Sequence, residues 1–127
     1  MVTIQMKRIY EDAVDGDGFR VLADRLWPRG VKKDGAKIDL WAKDITPSTV
    51  LREDYHGGRI SWPEFYDRYH SELTGNPALN VFMQTILEKK TVTLLFAGKD
   101  TEHSHVQVIM DLIAEAQGHG GKKSGKK

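Results

Sequence analysis

A chain of 127 residues with 39% hydrophobic and 29% charged side chains falls in the range of a single globular domain. Its net charge of +1 comes from the last ten residues, whose four lysines leave residues 1–117 with 15 basic against 18 acidic groups, so the charge does not point to a basic nucleic-acid-binding face on the fold. Zero cysteines exclude disulfides, a thiolate nucleophile, zinc ribbons and cysteine-held iron–sulfur clusters.

From Val2 to Ile9 apolar Val2, Ile4 and Met6 alternate with Thr3, Gln5 and Lys7, which predicts a strand with one wet face. Asp15-Gly16-Asp17-Gly18 is turn chemistry. Phe19 to Leu26 follows as a second strand, whose consecutive apolar Val21-Leu22-Ala23 suits an inner strand buried on both faces. Pro28 holds Trp27 extended, so the chain leaves the sheet through Asp24-Arg25-Leu26-Trp27-Pro28-Arg29-Gly30 without entering a helix. Val31 to His56 lacks periodicity and reads as a long packed loop, with a short strand at Ile38 to Trp41 or a helical turn near Ser48 to Arg52.

Ser61-Trp62-Pro63-Glu64 has the serine and glutamate of a capping box and a proline in the first turn, which starts a helix carrying Trp62, Phe65, Tyr66, Tyr69 and Leu73. Gly75 stops it, and Asn76-Pro77 caps a second helix with Leu79, Phe82, Met83, Ile86 and Leu87 on one face. Thr91 to Ala97 is the strongest strand signal, β-branched and then continuously apolar. The loop Gly98 to Ser104 leads into a last helix with Val106, Ile109, Met110 and Ile113 on one face. Residues 1–117 are thus expected to form a single domain and residues 118–127 a disordered Lys/Gly-rich tail.

Doubly buried strands alternating with amphipathic helices predict a three-layer, Rossmann-like α/β domain with a mostly parallel sheet flanked by helices. Ligands of such sheets bind beyond the carboxyl ends of the strands, which places a candidate cleft between the Asp24–Gly30 and Gly98–His105 loops. In the first loop Arg25 and Arg29, with Lys43 and Arg52, can clamp a phosphate or carboxylate through planar guanidinium forks. The competing reading joins Asp24 to those arginines in an internal ion-pair network with Trp27 stacked on a guanidinium.

In the second loop Asp100 can cap the last helix, coordinate a cation or hold His105 in one tautomer, and capping is the commonest of the three. His103 and His105, two apart, would diverge by about 200° on a helix, which argues against shared metal coordination. They are candidates for a general base or an anion contact. Tyr66 or Tyr69 can turn a hydroxyl into the cleft, although helical spacing favours packing. His56-Gly57-Gly58-Arg59 reads as a flexible polar loop. With no Gly-x-Ser-x-Gly, Walker or dinucleotide fingerprint, no cofactor is expected.

Arg8-Ile9-Tyr10, the block Arg20 to Gly30, Asp39 to Asp44, Pro47-Ser48 and Leu94 to His105 together resemble the YeaO-like branch of the domain-of-unknown-function 488 family, over roughly Lys7 to Ala116. The resemblance implies a small cytoplasmic α/β protein of bacteria or archaea and assigns it no activity. Other branches of that family resemble one another in a Cys-His-Arg at the start of the last helix, where this chain has Ser104-His105-Val106, so thiol chemistry does not carry over.

Two functions are therefore expected as alternatives. One is a phosphate- or nucleotide-type anion site of a hydrolase or transferase. In it Trp27 and the cations at 25, 29, 43 and 52 bind, while Asp100, His103 and His105 orient the ligand and move a proton. The other is a nonenzymatic binding or regulatory module in which the same residues are structural. A small anionic ligand is the expected partner, with no membrane and with nucleic acid met only weakly through the tail. The absence of an apolar run near the roughly 20 residues of a membrane span, and of an apolar leader, fits a cytoplasmic protein.

Overall fold

The computed structural model describes residues 1–118. Four parallel strands form one sheet in the order β1 (Thr3–Arg8), β4 (Thr91–Phe96), β2 (Phe19–Leu22), β3 (Leu40–Trp41). The register runs Thr3↔Thr91 to Arg8↔Phe96 between β1 and β4, and Phe19↔Val92 to Leu22↔Leu95 between β2 and β4. Five helices accompany it: α1 (Lys33–Ala36), α2 (Thr49–His56), α3 (Trp62–Thr74), α4 (Pro77–Ile86) and α5 (His105–Ala116). None among the described residues is long and apolar enough to cross a membrane. The expected tail lies, from residue 119 onward, outside the described residues.

The arrangement is the three-layer α/β fold, and the alternation of side chains along each strand shows that its outer layers are unequal. Val21, Leu94 and Phe96 point to one face, where they join Leu51, Phe65, Tyr69, Phe82, Ile109 and Ile113 of α2–α5 in the main core. Leu22 and Leu95 point to the other face and form a smaller cluster with Ile9, packed by Trp27, Val31, Ile38 and Trp41. That thin layer consists of loops and the single turn α1. Side-chain caps start the long helices: Ser61 Oγ accepts from Glu64 N (3.4 Å), Asn76 Oδ1 from Ala78 N (2.9 Å) and Ser104 Oγ from Val106 N (3.2 Å).

Three expectations need correction. β2 ends its ladder at Leu22, short of Leu26, because Asp24 takes over the pairing. Its Oδ2 accepts from Ala97 N and its backbone carbonyl from Trp41 Nε1, both at 2.8 Å. The stretch expected as a loop holds both the short strand and a helix, α2, that runs on to His56. Finally, the wet face of β1 is partly covered: Asp15–Asp17 forms a 3-10 turn over it, where Lys7 Nζ pairs with the buried Asp17 at 3.0 Å. The turn fits because Gly18 adopts φ +63°, and a Cβ there would run into the Thr91 carbonyl.

Candidate functional site

Beyond the carboxyl ends of β2 and β4 the two charged loops face each other across an open cleft of about 800 Å³. The strands deliver Asp24 and Ala97 to its floor, α5 begins there with Ser104 and His105, and α2 with the segment after it closes the far side. Arg25, Arg52 and Lys99 supply positive charge to this cleft, and Asp24 and Asp100 negative charge.

Asp24 and His105 form a pair at the floor. His105 Nε2 lies 2.5 Å from the Ala23 carbonyl, which can only accept, so Nε2 carries the proton; it stands 3.5 Å from Asp24 Oδ1. Burial pushes the imidazole below its usual value, more than the Ala23 and Asp24 oxygens raise it. Burial likewise raises the Asp24 carboxyl, which His105 and the Ala97 N–H only partly counter. Neither Asp24 oxygen meets an arginine in the described ion pairs, so the internal Asp–Arg network is absent.

The remaining candidates divide. Arg25 Nη1 donates to Thr49 Oγ1 at 3.1 Å, tying the first loop to α2. Arg52 sits in the far wall, and among the described residues its Nε is the one buried side-chain polar atom without a hydrogen-bond partner. Arg29 and Lys43 stand outside the cleft. Arg29 is exposed, its carbonyl accepting from Tyr10 Oη at 3.2 Å, and Lys43 Nζ lies 4.5 Å over the Trp41 ring. Trp27 borders the cleft but packs edge-on against Trp41 (centroids 5.4 Å apart), donates Nε1 to the Val31 carbonyl (2.6 Å) and is faced by Lys33 rather than a guanidinium.

Asp100 does not cap α5; Ser104 does. Asp100 Oδ1 instead accepts from Glu102 N (2.9 Å) and His103 N (3.0 Å), folding the loop on itself. The His103 and Glu102 N–H groups hold its carboxyl below the usual range. Its other oxygen is 3.9 Å from His103 Nδ1, so its histidine partner is His103 and not His105. His103 stacks on Trp62, with centroids 5.0 Å apart and planes at 23°. Neither Tyr66 nor Tyr69 enters the cleft: Tyr66 donates to Asp111, and the buried Tyr69 donates to the Ile45 carbonyl at 2.6 Å. Among the described residues no cluster of three or more His, Asp or Glu could hold a metal ion.

Sequence reasoning missed Tyr55, His56 and Phe65, which line the wall formed around α2. The signal lay in Ser48, an N-cap residue three before Leu51; Ser48 Oγ accepts from Leu51 N, and both its N and Oγ bond Glu72 of α3, which docks the helix.

Fold and site together define a small parallel α/β protein with a charged cleft at its strand ends. Residues 3–125 match the family described as the inactive DUF488-N3 subclade. Relatives include the uncharacterized protein YeaO of Escherichia coli K12, 41% identical over 112 residues covering 88% of this chain and 97% of that protein. The uncharacterized protein Mb3100c of Mycobacterium bovis is 37% identical over 110 residues, 87% of this chain and 92% of that protein. The chain belongs to the YeaO-like DUF488 family. No solved structure matches it.

Proposed function

We propose that the cleft binds a small phosphate- or carboxylate-bearing ligand and does not turn it over. The observation that carries this reading is Arg52, a cleft-lining residue whose Nε is buried without a partner. A buried donor left unsatisfied costs about 1–3 kcal/mol, and an acceptor in the cleft toward which the Arg52 side chain shifts would recover that cost. Arg25 and Lys99 add charge of the same sign nearby.

Two features favour binding over turnover. Ser104 is buried, and its oxygen is committed to capping α5. The His105 proton on Nε2 is committed to the Ala23 carbonyl. The family's description as inactive points the same way. A hydrolase or transferase reading draws on the Asp24–His105 pair, the arrangement that would hold an imidazole for proton transfer.

Thermal unfolding of the full-length protein with inorganic phosphate, sugar phosphates and dicarboxylates tests the proposal. An anion at ten times its Kd should stabilise by about 1.4 kcal/mol and raise the melting temperature by roughly 3–6 °C. Arg52→Gln should lose this response. An unchanged melting temperature with every anion, or a response that survives Arg52→Gln, overturns binding at this site. Release of inorganic phosphate from a sugar phosphate, abolished by His105→Gln, would overturn the claim that the site is inactive.

A further inference from the structure

Resting on the anion-binding reading, we infer that the ligand carries an aromatic ring as well as its anionic group, and that its class is a nucleoside phosphate. The cleft holds rings as well as cations. Tyr55 on α2, Phe65 on α3 and His103 in the loop before α5 line it, and Trp62 on α3 joins Phe65 to His103 in one stacked cluster. Tyr55 and Phe65 stack at 4.6 Å and 27°, Phe65 and Trp62 at 5.5 Å and 25°, and Trp62 and His103 at 5.0 Å and 23°.

The outermost ring is placed to receive another. Trp62 covers one face of the His103 imidazole, yet half of that side chain remains exposed, and His103 borders the cleft. The Asp100 turn fixes the loop from the other side through the His103 and Glu102 N–H groups. An exposed ring that is already stacked and tethered loses little freedom when a planar base is laid on it, which is the condition for a stacking platform.

Size and charge agree with this class. A bare phosphate or small carboxylate would fill only part of a cleft of about 800 Å³, whereas pockets of roughly 300–1,000 Å³ suit ligands of several rings or groups. Arg25, Arg52 and Lys99 are then left for the phosphate while the ring cluster takes the base. Stacking tolerates any base, because every base presents a π face.

Calorimetric titration of the full-length protein with ribose 5-phosphate, adenosine 5′-monophosphate and uridine 5′-monophosphate separates this inference from the one beneath it. Both nucleotides should bind about ten-fold or more tighter than ribose 5-phosphate. His103→Ala, a change at an exposed loop position, should erase that gap while leaving ribose 5-phosphate binding as it was. Equal affinity for all three overturns the base-binding inference and leaves the anion site standing; a gap that persists in His103→Ala overturns His103 as the stacking platform. If none of the three binds, the anion site itself falls and this inference with it.

Discussion

Asp17 and Asp24 flank the same strand, β2, and each has an arginine close by in sequence, yet their surroundings are opposite in kind. Asp17, at the amino end, closes the 3-10 turn and is buried with Arg20 Nη1, Lys7 Nζ and the Val14 N–H around its carboxylate. Arg20 completes its own set on the Ala36 and Lys37 carbonyls. Burial alone would raise the Asp17 carboxyl, but Val14, Lys7 and Arg20 together hold it below the usual range. Asp24, at the carboxyl end, has one N–H and a histidine, and burial prevails, leaving its carboxyl raised. A saturated ionic cluster seals one end of the strand, and an undersupplied one opens on the cleft at the other. The same residue type is structural where its partners are complete and available for chemistry where they are not.

The largest effect should come from breaking the sealed end. Asp17→Asn leaves Arg20 as a buried charge without its counterion and should cost about 3–5 kcal/mol, read as a fall in the urea midpoint. The depressed folded value of Asp17 also sets a sign. Its contribution is present above the unfolded carboxylate range near 4 and is lost as pH falls through the folded value, so the acid limb of wild-type stability should flatten in the variant. Gly18→Ala comes next. Its φ of +63° and the Thr91 carbonyl in the path of a Cβ should cost roughly 1–3 kcal/mol, with the 3-10 turn displaced.

At the open end the expected effects are smaller and partly reversed in sign. Arg52→Met removes a buried donor that has no partner, so the ligand-free protein should keep its stability or gain about 1 kcal/mol while losing its response to anions. His105 gives the pH signature. Its folded value is depressed, so below the usual value of about 6.5 the unfolded chain binds more protons and stability falls as pH falls, until the folded value is reached. Urea midpoints measured from pH 7 to 5 should show that decline in the wild type and lose it in His105→Gln.

Strands β1 and β4 were legible from alternation or continuous burial, helices α3 and α4 because Ser61 and Asn76 stand before their apolar faces, and α5 from its apolar face alone, its cap being Ser104 and not Asp100. Helix α2 was legible only as one of two alternatives, a turn near Ser48 to Arg52, because it buries a single residue, Leu51, while Val50 lies exposed, so no stripe marks it. The location of the cleft followed from strand-end topology, but its far wall did not, since Tyr55 and His56 arrive there only when α2 docks. The Asp24–His105 pairing was equally out of reach: the imidazole comes from 82 residues beyond Ala23, and nothing local marks the contact.

Sequence adjacency suggests instead that Asp24 belongs with Arg25 or Arg29, and the finest test of the comparison addresses that idea. Asp24 and Arg25 both line the cleft, but the Arg25 guanidinium goes to Thr49 and the Asp24 carboxylate to the Ala97 N–H and His105. Arg29, past Pro28, is exposed, and among the described residues it is held through its backbone carbonyl by Tyr10. Arg29→Gln should therefore change stability by less than about 0.5 kcal/mol. In a double-mutant cycle with Asp24→Asn the coupling should stay within about 0.3–0.5 kcal/mol, the range of independent sites. The same substitution should leave the anion-induced rise in melting temperature intact, unlike Arg52→Gln. A coupling above 1 kcal/mol would mean that Asp24 is sealed by an arginine as Asp17 is by Arg20, and the contrast between the two ends of β2 would disappear.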